Sequence, residues 1–88
     1  MYGFDNYNTF NEVGYYYLYD KKQVDDAIAI FEYNVALFPT SGTIVDSLAE
    51  GYLKKGDKKK ALYYYKRSIE LGYMDNSGAK KVIEELEK

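Results

Sequence analysis

The sequence predicts an all-α fold of five helices, arranged as two antiparallel pairs and a C-terminal capping helix. Three observations carry that expectation. The chain repeats itself: Ala27 and Ala61, Phe31 and Tyr65, and Pro39 and Tyr73 are 34 residues apart, while Val13 and Leu48, Gly14 and Ala49, and Tyr17 and Tyr52 are 35 apart. Within each copy apolar residues recur at spacings of three and four, the period of one helix face. Between the periodic runs fall proline, glycine and polar clusters, where helices stop. The difference between the two spacings puts one extra residue in the turn "YDKKQ" (residues 19–23) of the first copy.

Each element follows from local chemistry. Thr9, with Glu12 three residues on, reads as a capping box that starts the first helix, along which Phe10, Val13, Gly14 and Tyr17 share a face. The polar turn "YDKKQ" closes it. A second helix is expected over Val24–Leu37, with Ala27, Ile28, Phe31 and Val35 inward, and Pro39 ends it because the residue before a proline avoids the helical region. A third begins near Ser41 and carries Ile44, Val45, Leu48, Ala49 and Tyr52; Lys54 and Lys55 complement its C-terminal dipole before Gly56 breaks it. The fourth runs from Lys58 to Leu71 with Ala61, Leu62, Tyr65, Ser68 and Ile69 inward, although Lys58, Lys59 and Lys60 stand unfavourably at its positive end. Ser77 caps a fifth helix whose stripe is Ala79, Val82, Ile83 and Leu86 and whose other face is charged. One domain results, divided into an N-terminal extension (residues 1–7), a first repeat (8–40), a second repeat (41–75) and a capping helix (76–88).

Composition narrows the function. With 88 residues the chain has room for one modest core, in which every large ring counts. A net charge of −2 argues against a nucleic-acid binder working by phosphate neutralisation. The charge is uneven, with six acids and two lysines in residues 1–40 but seven bases and one acid in residues 54–67. A lysine run around a turn reads first as solvated surface. Cysteine and histidine are absent, so disulfides, thiolates and histidine metal sites are excluded. The run of apolar residues and the N-terminal layout predict no membrane span and no signal peptide, and the compartment expected by default is cytoplasmic.

No catalytic constellation is legible. "SGAK" (residues 77–80) spells a Ser-x-x-Lys, but no Lys-Thr-Gly accompanies it, and Ser77 as a helix cap accounts for it better. Asp25 with Asp26, and Asp46 with Glu50, are the close carboxylate pairs on helices, and both read as exposed faces rather than as a dyad in a cleft. With no phosphate loop or metal cluster either, neither an enzyme nor a cofactor is expected.

The repeat resembles the tetratricopeptide repeat family. The first copy offers Phe10, Val13-Gly14, Tyr17, Ala27, Phe31 and Pro39; the second offers Val45, Leu48-Ala49, Tyr52, Gly56, Ala61, Tyr65 and Ser68. Departures are Asn34 at a small-residue position, Val45 for the aromatic and Tyr73 for the second proline. More narrowly, the stretch from Gly14 to Leu71 is similar to the helical tail at the C-terminus of some β-lactamase-like serine hydrolases, an accessory module without catalytic residues. The resemblance implies an α-solenoid fragment that presents a concave groove to a peptide or a protein domain. It assigns to that groove Asn11, Tyr15, Leu18 and Tyr19 from one repeat, and Asp46, Glu50 and Leu53 from the other. In that reading the hydroxyls of Tyr15 and Tyr19 can stay in water while their rings offer contact area, and the acids beside them favour a basic or amine-bearing ligand. Tyr17 and Tyr65 are core, Tyr64 packs partly on the fifth helix, and Tyr63 faces outward. Two other readings fit the same residues: a structural tail packed on a parent domain or on a second copy as a homodimer, and an engineered minimal repeat protein without a natural partner.

Overall fold

The computed structural model describes residues 7–72 and 79–88, and of residues 7–9 the backbone alone. The described residues form five helices and no strand: α1 (Tyr7–Tyr15), α2 (Val24–Leu37), α3 (Gly42–Lys55), α4 (Lys58–Glu70) and α5 (Ala79–Leu86). The chain is all-α, as the periodicity predicts. The Ser77 cap and Tyr73 lie outside the described residues.

Neighbouring helices are antiparallel. Phe10 near the start of α1 meets Tyr33 near the end of α2, with ring centroids 5.4 Å apart. Lys55 at the end of α3 meets Asp25 at the start of α2 at 2.8 Å. The ends follow their residues. Asp25 and Asp26 occupy the first turn of α2, Lys54 and Lys55 the last turn of α3, and each complements the helix dipole. Gly56 (φ 93°) and Gly72 (φ 92°) supply the left-handed turns after α3 and α4. The lysine-rich start of α4 is held by Asp57, whose carboxylate accepts the Lys60 backbone N–H at 3.1 Å. That cap offsets the unfavourable charge and was not anticipated from the sequence.

The core is centred on Phe31, which is fully buried. Gly14 of α1 and Gly51 of α3 both face its ring. A Cβ on Gly14 would lie 2.7 Å from Phe31 Cδ1 and 2.8 Å from Cζ, and closer still to Cε1; one on Gly51 would lie 3.0 Å from Ile28 Cγ1 and 3.3 Å from Phe31 Cδ2. Tyr15 closes the ring edge-on, 5.2 Å between centroids at 66°. Around this point Leu18, Ala27, Ile28, Leu48, Ala49, Tyr52, Ala61, Tyr65 and Ala79 form one buried cluster. Burial follows the repeat: Ala27 and Ala61, Phe31 and Tyr65, and Asn34 and Ser68 are buried at equivalent positions.

Three details of the first helix differ from expectation. Helix α1 includes residues 7–9, so Thr9 lies inside it and is not its cap. Beyond Tyr15 the helix continues as a π-helical turn, Tyr16–Asp20, in which the Lys21 N–H reaches the Tyr16 carbonyl five residues back at 3.0 Å. One residue added inside a helix turns every later side chain by about 100°. Leu18 therefore takes the core place expected for Tyr17: Leu18 is 4% exposed, while Tyr17 is half-buried. Val13, expected on the packed face, is 39% exposed.

Both repeats nevertheless close alike. In the second, the Asp57 N–H donates to the Tyr52 carbonyl at 3.0 Å; in the first, the Gln23 N–H donates to the Tyr17 carbonyl at 2.8 Å, spanning one residue more. The extra residue is taken up in the π turn, where that closure begins. The left-handed position filled by Gly56 in one repeat is filled by Lys22 (φ 55°) in the other.

Two stability predictions follow from this packing and this turn. Gly14→Ala gains helix propensity but overpacks Phe31, for a net loss of about 1–2 kcal/mol in urea unfolding, whereas Gly51→Ala, against a side chain that can shift, is close to neutral. A Gly14→Ala midpoint equal to that of Gly51→Ala contradicts the clamp. Lys22→Gly removes a side chain from a left-handed conformation and raises stability by about 0.5–1 kcal/mol, read as a higher melting temperature.

Candidate functional site

Helix α3 supplies half of the groove lining. Asp46 and Glu50 lie one turn apart on it, followed by Leu53 and Lys54, and the row faces α1 on one side and α5 on the other. From α1 and its π turn come Tyr15 and Tyr19, whose rings stack at 6.0 Å with planes 9° apart. Their hydroxyls are engaged. That of Tyr15 lies 3.1 Å from Ser47 Oγ and 3.0 Å from Glu50 Oε1, and that of Tyr19 donates to the other carboxylate oxygen of Glu50. The Lys54 ammonium sits 5.3 Å from the Tyr19 ring centroid, within cation–π range.

Between this tyrosine wall and α5 opens a groove of about 280 Å³. Leu53, Tyr65, Ala79 and Val82 give it an apolar lining, and Tyr19, Asp46, Glu50 and Lys54 complete it. Tyr65 and Ala79 are buried, at 5% and 1% exposure, so they form the floor.

Of the residues assigned to the concave face, Tyr19, Asp46, Glu50 and Leu53 come together in this groove. Tyr15 stands behind it and braces both Phe31 and Glu50. Asn11 is half-buried on α1 and outside the lining. Leu18 is a correction: the π turn rotates it into the core, away from any ligand. The hydroxyls of Tyr15 and Tyr19 also find a protein partner, because Glu50 reaches both from the next helix.

Lys54, Tyr65, Ala79 and Val82 were not assigned to the groove from sequence. A signal existed for the last two, since Ala79 and Val82 stand 34 residues beyond Val45 and Leu48. Helix α5 therefore carries a third copy of the first-helix pattern and extends the row. Among the described residues no group of three or more acidic, histidine or cysteine side chains is placed to hold a metal.

A second tyrosine, carboxylate and lysine set repeats the arrangement on α2, α3 and α4. Tyr52 stacks on Tyr64 at 5.7 Å and 7°, its hydroxyl donates to Glu32 Oε2 at 2.5 Å, and Lys60 Nζ lies 5.2 Å from its centroid. Tyr64 thus finds a partner on α3. These phenols are held protonated. Burial pushes Tyr15 well above the ordinary tyrosine range; the Ser47 hydroxyl draws it back, while the charge of Glu50 raises it further. In Tyr19 burial acts first and the bond to Glu50 second, and in Tyr52 burial is followed by the bond to Glu32.

The pH dependence has a definite sign. In the unfolded chain tyrosines ionise near pH 10. In the folded chain Tyr15, Tyr19 and Tyr52 keep their protons beyond that point. The folded state then binds more protons, so stability is full below about pH 10 and falls as pH rises above it. Urea midpoints should drop between pH 9 and 11, and Glu50→Gln, which removes the charge facing Tyr15 and Tyr19, should make the drop shallower. A midpoint that does not fall over that range contradicts the assignment.

Comparison with protein-family models finds none that matches this chain, and comparison with curated proteins finds no match either.

Proposed function

We propose that the chain is a non-catalytic, tetratricopeptide-like interaction module whose groove between α3 and α5 receives a short segment of another protein. The observation that carries this reading is the make-up of that groove: an apolar floor of Leu53, Tyr65, Ala79 and Val82 beside Asp46, Glu50 and Lys54. An apolar floor supplies contact area, and polar groups at its edge supply orientation. Glu50 is fixed by two phenols and Lys54 rests on Tyr19, so both are oriented before a ligand arrives. Little side-chain freedom is then lost on binding. With two carboxylates against one ammonium, the groove favours a segment that pairs an aliphatic side chain with a lysine or arginine. Tyr19 serves as a rigid wall, and Tyr15, half-buried and stacked behind it, acts by holding Glu50.

A peptide library selected on the intact chain tests this reading. Selected peptides should carry an aliphatic residue next to a basic one. Val82→Ser and Asp46→Asn should each weaken such a peptide by about tenfold, near 1.4 kcal/mol, in variants that circular dichroism shows to remain helical. Peptides that ignore both substitutions but are lost with Lys58→Glu and Lys59→Glu place the binding surface at the basic start of α4 and overturn the groove.

A further inference from the structure

The outward faces of α2 and α4 carry opposite charge at equivalent positions. Thirty-four residues apart stand Asp25 and Lys59, Asp26 and Lys60, and Glu32 and Lys66. All six are exposed. The central rings on the two faces, Tyr33 and Tyr63, are 56% and 63% exposed, among the most exposed large apolar residues described. Ala29 and Ala36 on α2 are small and exposed, while the α4 face carries a depression of about 340 Å³ lined by Tyr63, Lys66, Arg67 and Glu70. One helix offers a projecting ring beside small residues. The other offers a hollow with cations on its rim.

The two helices are also suitably oriented. Asp25 at the start of α2 and Lys60 at the start of α4 both lie by the end of α3, on Lys55 and Tyr52, so α2 and α4 run parallel. We propose that two copies of the chain associate through these outward faces, about a two-fold axis parallel to α2 and α4, so that α2 of each copy lies against α4 of the other at the same height. A rotation about such an axis exchanges the two helices without shifting them along their length. Each α2 position then lies level with the α4 position 34 residues on. Flank positions change sides under this rotation, so Asp26 faces Lys59 and Asp25 faces Lys60, while at the centre Ala29 makes room for Tyr63 and Tyr33 enters the hollow beside Arg67, where its ring face meets a guanidinium.

These charges have partners within the chain: Asp25 with Lys55, Glu32 with Tyr52, and Lys66 with Glu87. Exposed pairs of this kind are weak, and a carboxylate accepts more than one donor, so the same groups can be shared across an interface. The groove of α3 and α5 does not use these outward faces. A dimer built this way carries two open grooves and binds a two-site partner more tightly than either groove alone.

Sedimentation equilibrium of the full chain tests the proposal. A reversible dimer is expected, and its dissociation constant should rise about tenfold or more from low to high salt as the facing charges are screened. Lys59→Glu with Lys60→Glu makes the facing positions of both helices acidic, and Asp25→Lys with Asp26→Lys makes them basic. Each variant alone should be monomeric, and an equimolar mixture should recover the dimer mass. Circular dichroism reports whether each variant folds; should one lose its helical signal, Lys59→Gln with Lys60→Gln reads the same weakening. A wild-type chain that stays monomeric at all concentrations, a dimer that survives both folded charge variants, or a mixture of folded variants that stays monomeric overturns the proposal. Each of these results leaves peptide binding in the groove to be scored separately.

Discussion

One ring sets the spacing of the helices. Phe31 is enclosed by Gly14 from α1 and Gly51 from α3, and Tyr15 lies edge-on against it. Burying a phenylalanine contributes roughly 1.5–3 kcal/mol, a large share of what a chain this size can gather. The consequence is geometric as well as energetic. Because neither glycine has a side chain, both helices approach α2 closely enough for Tyr15 and Tyr19 to reach across to Glu50 on α3. The groove therefore depends on a contact that no ligand touches.

The repeat was legible because its period is written in residue types that packing demands. Small Ala27 and Ala61 and large Phe31 and Tyr65 recur because equivalent places in two helix pairs need equivalent volumes. The change from 34 to 35 between spacings correctly announced an inserted residue. Its placement did not follow from sequence, since a turn and a π-helical segment absorb one residue equally well on paper. Only the hydrogen bonds distinguish them, and with them the exchange of Tyr17 for Leu18 in the core.

The groove was half legible for a related reason. Helical spacing can align Tyr15 with Tyr19 and Asp46 with Glu50 along their own helices, but it cannot show what faces them from the next. Two phenols converge on Glu50, and that bond crosses more than 30 residues of sequence. Val82 and Ala79 were read as the stripe of a cap. The helix packs on α4, and the same stripe also walls the groove. Asp57 escaped notice because a lone acid before three lysines looks like charge balance until its oxygen is seen on a backbone N–H.

The order in which helices touch has a kinetic side. The main packing contacts join α1 to α2, α2 to α3, α3 to α4 and α4 to α5, so most pairs form between segments a short loop apart. Closing short loops costs little entropy, and proteins dominated by such local pairs cross their folding barrier quickly. Opening has the opposite geography. Helix α5 leans chiefly on α4, whereas α3 is held by both α2 and α4, so transient excursions should begin at the C-terminal end and stop at the Phe31 clamp. The wall of the groove thus belongs to the segment that opens most cheaply, and a ligand of the proposed kind would exchange at the pace of that fraying while the rest of the chain stays folded.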